Sequence, residues 1–155
     1  MNPYKGTKEY PHHISVGVVL INDKNEVACH FYGEQKIRNY PKNFYTLVHE
    51  SLEENETLED AVIRGLKEEF SMKGTLVRFV GSLMTHFDRD GVSVEKTVPY
   101  FLCKLTSMDE RDLTDPEAIS EIKWMNIDEL IAIMKTQGED DESKILEDVK
   151  KFYLK

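Results

Sequence analysis

The amino-acid sequence predicts a single domain of the α/β (α+β) class over residues 1–155, in which helices pack on a sheet. Two observations support this fold class. Residues 14–21 are a nearly continuous apolar run rich in β-branched side chains, which is typical of a buried central strand. From residue 57 onward the apolar residues recur at helical spacing instead, so a strongly amphipathic helix follows the first strands.

The composition is that of an ordinary globular protein, with 40% hydrophobic and 32% charged residues. A net charge of −9 argues against a broad basic surface for nucleic acid. No apolar run reaches the length of about 18 residues that suggests a membrane span, and no signal-peptide pattern opens the chain. Cys29 and Cys103 lie far apart in apolar segments, so we expect buried, reduced thiols, a cytoplasmic protein and no zinc site.

The first part of the chain predicts a β-hairpin. Residues 1–12 are polar and suggest a loose lead-in, and His12 and His13 indicate an exposed start of a strand rather than a metal site. Residues 22–25 form a turn, after which residues 26–31 return as a second strand.

A polar loop over residues 33–43 then leads to a short strand over residues 44–48. The loop carries three cations, Lys36, Arg38 and Lys42, which either contact substrate phosphates or balance the local charge.

The helix that follows has clear sequence signals. Thr57 is a suitable N-cap, and Glu59 and Asp60 place negative charge in the first turn, where the helix dipole favours it. Gly65 interrupts the helix and costs about 1 kcal/mol relative to alanine. The buried stripe consists of Leu58, Ala61, Val62, Leu66 and Phe70.

Charged residues gather beside this stripe. Arg64 and Glu68 are four residues apart on the helix, which places their side chains within reach of each other. Glu69 is adjacent, and Glu56 lies just before the helix. Carboxylates packed this closely repel one another unless a cation neutralises them, and hard oxygen ligands suit Mg²⁺ or Mn²⁺. The alternative is a solvated charged face without chemistry.

The spacing of these residues resembles the Nudix box, the signature of the Nudix hydrolase family. That pattern reads Gly, five residues, Glu, seven residues, Arg-Glu-aliphatic, one residue, Glu-Glu, one residue, Gly-aliphatic. Three positions depart from it: Glu50 stands at the first Gly, Gly65 at the Glu after Arg, and Ser71 at the last Gly. The residues in register are Glu56, Arg64, Leu66, Glu68, Glu69 and Met72.

The resemblance covers about residues 14–135. It implies a Nudix-type α/β/α sandwich with a mixed central sheet and the box helix packed on it. It also implies a hydrolase that uses Mg²⁺ or Mn²⁺ to cleave a diphosphate bond in a nucleoside diphosphate-linked small molecule. Glu68, Glu69 and Arg64 then match the catalytic residues, and Glu68, Glu69 and Glu56 match the metal ligands.

Gly65 leaves a second function open, because it has no side chain that binds metal or accepts a proton. The alternative is a weak or inactive Nudix-fold module that binds nucleotide or regulates a partner. The oligomeric state also stays open, a homodimer included. If the site is active, His49 or His86 could serve as the base. The candidates for a replacement carboxylate are Glu50, Glu53, Asp88, Asp90, Glu95 and Glu121.

The remaining strands and helices are predicted from the same kinds of sequence signal. We expect the box helix to end at residues 73–74, a strand over residues 76–84 and a loop over residues 86–91. Residues 96–105 form the next strand, in which Pro99 predicts an edge position or a bulge. A strand over residues 121–125 leads into a helix, and a linker at residues 138–142 precedes a C-terminal helix within residues 139–155. Tyr45, Phe87 and Tyr100 are candidates either for stacking on a base or for ordinary packing.

Overall fold

A computed structural model describes residues 1–34, 41–111, 120–138 and 141–154. Within these ranges the strands are β1 (His12–Ile21), β2 (Glu26–Phe31), β3 (Tyr45–Thr46), β4 (Val48–Ser51), β5 (Met72–Arg89), β6 (Val92–Met108) and β7 (Glu121–Asn126). The helices are α1 (Leu58–Gly65), α2 (Ile127–Gln137) and α3 (Ser143–Tyr153). A π-helical turn, Leu66–Phe70, continues α1.

These strands form one mixed sheet around β1. Strand β1 runs parallel to β6 and antiparallel to β4 and, at its end, to β2. Strand β2 also pairs with β3 and β7, and the long hairpin of β5 and β6 completes the sheet. The predicted fold class and the mixed sheet are therefore confirmed.

Helices cover both faces of the sheet. Consecutive residues of β1 point to opposite faces, so Val18 packs against α1 whereas Val19 packs against α2 and α3. On the first face, Val62 and Phe70 of the box helix are buried with Val18. On the second, Leu130 and Leu146 are buried with Val19. This arrangement is the predicted α/β/α sandwich.

The segment before the box helix differs from its prediction. Instead of one strand over residues 44–48, the chain forms β3 and β4, separated by Leu47. Glu50 therefore lies in strand β4, beyond the end of the predicted strand. Because β4 pairs with the central strand β1, with Glu50 opposite Val16, the backbone of Glu50 is fixed by the sheet.

The end of the box helix also differs from its prediction. The helix stops at Ser71, which has the left-handed angle φ 55°, and not at residues 73–74, which lie in β5. Glycine is the residue that adopts this conformation without steric cost. The box glycine that Ser71 replaces therefore stands where the backbone requires such an angle.

The hairpin of β5 and β6 is longer than predicted. Residues 86–89, predicted as loop, belong to β5, and the turn is confined to Asp90 and Gly91. An edge position for Pro99 is wrong, because β6 lies between β1 and β5. Pro99 instead lies at an irregularity of the sheet, because the pairing of β6 with β1 stops after Thr97 and resumes at Tyr100. Pro99 lies in this gap and has no N–H to donate to β1.

The first residues of the chain contact the loop before α1. The Asn2 side chain donates a 2.7 Å hydrogen bond to the Leu52 carbonyl, and the amino group of Met1 lies 3.2 Å from Glu54. Cys29 and Cys103 are buried and free, as predicted, and burial raises the pKa of each thiol to about 12. In the described part of the chain, no helix has both the length and the apolar character needed to cross a membrane.

Candidate active site

The predicted site is built around the guanidinium group of Arg64, which α1 presents toward the loop between β4 and the helix. Thr57 caps the helix as predicted, accepting a hydrogen bond from the Asp60 N–H. Arg64 Nε and Nη2 donate to the two carboxylate oxygens of Glu56 at 2.7 and 2.9 Å, and Nη2 also donates to the Ser51 carbonyl. The hydrogen bonds from Arg64 hold the pKa of Glu56 below its ordinary value. Arg64 thus fastens the loop to the helix.

The third guanidinium nitrogen of Arg64 faces further carboxylates. Nη1 lies 3.1 Å from Glu50, 3.2 Å from Glu68 and 3.6 Å from Glu53. We call these residues, with Glu56 and Arg64, the Arg64 cluster. It gathers four carboxylates on one cation, so the cluster carries excess negative charge.

Glu50 is a carboxylate of this cluster whose ionisation is opposed by its surroundings. Its side chain is only 19% exposed. Burial, followed by the negative charge of Glu69, raises the pKa of Glu50 to about 7, although Arg64 opposes this rise. A positive charge bound nearby would favour the ionised form.

Glu69 turns toward the sheet, where it meets a residue that sequence reasoning missed. Its Oε1 lies 3.3 Å from Nε2 of His30, which β2 carries and which is 4% exposed. Within the described residues, His30 Nε2 and Glu69 Oε2 are buried without a hydrogen-bond partner. The other ring nitrogen of His30 is hydrogen-bonded to Ser120. The available signal was a histidine between the apolar residues Cys29 and Phe31 of the predicted strand.

The carboxylates near Arg64 suit a divalent metal in two ways: their oxygens are the ligands that such a metal prefers, and one of these oxygens lacks a hydrogen-bond partner. Glu50, Glu68 and Glu69 offer hard carboxylate oxygens, and the charges of Glu68 and Glu69 both act on Glu50. One of these oxygens, Glu69 Oε2, is buried without a partner. In the ranges that the structure describes, no three acidic or histidine side chains already surround a common point. Glu68, 48% exposed, can rotate from Arg64 toward a cation, whereas Glu56 uses both oxygens on Arg64.

The structure separates the candidates for a replacement carboxylate. Glu50 and Glu53 lie in the Arg64 cluster, and Glu53 is 66% exposed. Glu95 lies 3.8 Å from His12, and Glu121 begins β7 opposite Phe31. Asp88 and Asp90 are at the tip of the β5–β6 hairpin, and His86 pairs with Glu95 across it. Glu50 is therefore the candidate that the fold buries beside the box helix.

His49, the other candidate base, faces the opposite side of the sheet. Its Nε2 lies 2.6 Å from Glu142 Oε2 and 3.1 Å from the Tyr100 hydroxyl, which itself donates to Glu142 at 2.5 Å. Glu142 Oε1 accepts a 2.9 Å hydrogen bond from the Leu47 N–H. We call these contacts the Glu142 network. Sequence reasoning placed Glu142 in a linker and gave no sign of this contact.

The Glu142 network borders a cavity of about 190 Å³. Burial opposes ionisation of Glu142, but the charge of His49 and the hydrogen bonds from His49, Leu47 and Tyr100 hold the pKa of its carboxyl below the ordinary value. The cavity is lined by His49, Leu83, Met84, Thr85, Lys96, Val98, Tyr100, Asp141 and Glu142.

The remaining candidates for substrate contacts have ordinary surroundings. Tyr45 packs on Phe31 with 4.7 Å between ring centroids, and Phe87 makes an edge contact with His13. Lys42 lies 3.9 Å from Glu34. Lys36 and Arg38 fall outside the described residues.

Comparison with known proteins identifies the family. A family model described as the NUDIX domain matches residues 11–149, and the chain therefore belongs to the Nudix family. A search of curated proteins finds no match.

Several solved structures share the fold. The MutT protein of Methanosarcina mazei Go1 is 17% identical with a TM-score of 0.62, covering 91% of this chain and 94% of that one. A NUDIX hydrolase from Nitrosomonas europaea is 15% identical with a TM-score of 0.64, covering 89% and 88%. The C. elegans Ap4A hydrolase is 20% identical with a TM-score of 0.60, covering 90% and 96%. At these identities the likeness concerns the fold.

Proposed function

We propose that this protein is a metal-dependent hydrolase that cleaves a diphosphate bond in a nucleoside diphosphate derivative. Membership of the Nudix family supports a nucleotide pyrophosphohydrolase in general terms. The observation that carries the proposal is the excess of carboxylates over cations at Arg64, next to the buried, unpartnered oxygen of Glu69. Such a site gains stability when it binds a divalent cation, and the cation in turn binds phosphate oxygens.

The proposed roles of the residues in this reaction are as follows. Glu68 and Glu69 would hold Mg²⁺ or Mn²⁺, and Glu56 would become a further ligand only if it left Arg64. Arg64 orients Glu68 and keeps the loop after β4 in place through Glu56 and Ser51. Water adds to one phosphorus while the bridging P–O bond breaks; the leaving phosphate keeps the electron pair of that bond, and the proton of the attacking water passes to solvent. A bound divalent cation would polarise the phosphoryl oxygens and offset the charge of the leaving phosphate.

An activity panel tests the proposed function. The purified protein is incubated with Mg²⁺ or Mn²⁺ and with nucleotide sugars, oxidised nucleotides and dinucleotide polyphosphates, and released phosphate is measured. Because a solved fold neighbour is named an Ap4A hydrolase, Ap4A belongs in the panel. We expect turnover that EDTA abolishes, and a loss of about 100-fold or more in Glu69→Gln, because a ligand is removed.

The matched control is Glu59→Gln, which removes one exposed carboxylate from the same helix. It should turn over substrate at the wild-type rate. Turnover that persists in EDTA would refute the metal dependence. Thermal stabilisation by a nucleotide without any turnover would instead favour the binding or regulatory module.

A further inference from the structure

Glu50 and Gly65 face each other where β4 packs on α1. A Cβ atom placed on Gly65 would lie 3.0 Å from the Glu50 Cβ, 3.4 Å from the Glu50 Cγ and 3.6 Å from the Val48 side chain. The first of these distances is too short for an ordinary contact. The side chain of Glu50 therefore lies in the space that a side chain at position 65 would need. This packing explains why a glycine stands at position 65 although it destabilises the helix.

The same two positions are departures from the box pattern, and they are reciprocal. Position 50 carries Glu where the pattern has Gly, and position 65 carries Gly where the pattern has Glu. Because a Cβ at position 65 would crowd the Glu50 side chain, which would have to shift by a few tenths of an ångström, each substitution accommodates the other. The exchange moves a carboxylate from the helix to the strand and keeps it at the interface between them.

The position of the Glu50 carboxylate fits the cluster on the helix. Its Oε1 lies 3.1 Å from Arg64 Nη1, the nitrogen that also donates to Glu68 at 3.2 Å. Glu69 is close enough for its charge to act on Glu50. A second observation points to a ligand at this place: His30, 4% exposed, holds its Nε2 3.3 Å from Glu69 Oε1 without a hydrogen bond, and Glu69 Oε2 is buried without a hydrogen-bond partner.

We propose that Glu50 restores the carboxylate that the box lacks at position 65, and that it binds the divalent cation together with Glu68 and Glu69. This inference rests on the proposed function, because it assigns a further ligand to the same metal site. It removes the main objection to an active site, since the carboxylate missing from the helix is supplied by the adjacent strand.

Binding of Mn²⁺ to the metal-free protein, measured by calorimetry and by electron paramagnetic resonance, tests the proposal without relying on activity. We expect Glu50→Gln to weaken Mn²⁺ binding by about tenfold or more, because it keeps the shape of the side chain but removes an anionic ligand. The matched control is Glu59→Gln, which removes an exposed carboxylate of the box helix that lies outside the Arg64 cluster. It should change the affinity by less than about twofold.

The exchange itself is tested by restoring the box. Gly65→Glu alone crowds Glu50, and we expect the melting temperature to fall by about 5 °C. The double variant Glu50→Gly with Gly65→Glu returns the carboxylate to the helix. It should recover both the melting temperature and the Mn²⁺ affinity of the wild type.

The outcomes separate the two proposals. If the wild type binds Mn²⁺ and Glu50→Gln binds it equally well, the role of Glu50 is wrong while the metal site stands. If the wild type binds no Mn²⁺, both the metal-dependent function and the role of Glu50 fail. A double variant that is less stable than Gly65→Glu alone would refute the reciprocal packing.

Discussion

His49 and Glu50 are consecutive residues of β4, yet they enter opposite faces of the sheet and very different surroundings. Glu50 joins the Arg64 cluster, where four carboxylates share one guanidinium group and two of them, Glu53 and Glu68, are 66% and 48% exposed. His49 joins the Glu142 network, where the carboxylate is 1% exposed and accepts hydrogen bonds on both oxygens.

The two groups of charged residues differ in how fully their carboxylates are paired, and this difference indicates different roles. In the Glu142 network each carboxylate oxygen has a protein partner, so the network has little left to offer a metal ion and instead shapes the cavity. In the Arg64 cluster the negative charge exceeds the positive charge, and solvent reaches part of it. Such an imbalance is unfavourable unless a further cation binds, which is why we assign the metal to this face.

The largest expected effect is that of removing Arg64. Arg64→Ala leaves Glu56 and Glu50, which are 11% and 19% exposed, without their cation. We expect the free energy of unfolding to fall by about 3 kcal/mol, as for other buried ion pairs that lose one partner. Urea denaturation measures this change. Lys67→Ala removes an exposed cation from the same helix and should cost less than about 0.5 kcal/mol. Equal losses in the two variants would show that Arg64 is an ordinary surface charge.

Breaking the Glu142 network should have a smaller effect that depends on pH. Glu142→Gln removes a buried charge that His49 and Tyr100 contact, and we expect a loss of about 2 kcal/mol at pH 7. Because folding lowers the pKa of Glu142 from its ordinary 4.5, its ionisation stabilises the fold above about pH 4.5. That stability is lost as the pH falls through the lower folded-state pKa.

Denaturation of wild type and Glu142→Gln at several pH values checks this sign. Their difference should be constant near neutral pH and should shrink in acid. The control is Glu147→Gln on the adjoining helix α3, whose ion pair with Lys135 is half exposed on both sides, so its loss should have little effect at any of these pH values. A difference that is unchanged down to pH 3 would mean that folding does not lower the pKa of Glu142.

The Arg64 cluster could be predicted from the sequence to a large extent, whereas the Glu142 network could not. Arg64 and Glu68 are separated by one helical turn, and Glu56 is fixed by the cap at Thr57, so their proximity follows from local geometry. Glu142 lies 93 residues from His49, and the contact forms only because α3 returns to the sheet beside β4. No local pattern in a polar linker carries that information.

The same distinction between local and long-range contacts explains which features of the site could not be predicted from the sequence. Glu50 was one of six replacement candidates, because its approach to Gly65 depends on the pairing of β4 with β1. His30 was missed because its neighbours along the strand are apolar, and its contact with Glu69 needs the packing of the helix on β2. The end of β5 was set too early because residues 81–90 alternate between partly buried and exposed, without a buried apolar signal.

The smallest expected effect comes from the hydroxyl group of Tyr100. Tyr100→Phe removes one hydrogen bond to Glu142 and keeps the ring in place, while His49 and the Leu47 N–H still hold the carboxylate. We therefore expect a loss of about 1 kcal/mol, less than in Glu142→Gln. Tyr10→Phe removes a hydroxyl from a side chain of a residue that is 70% exposed and should have no measurable effect. Because Tyr100 acts on the face opposite the Arg64 cluster, its loss should leave Mn²⁺ affinity unchanged, whereas a weakened affinity would show that the two faces are coupled through β4.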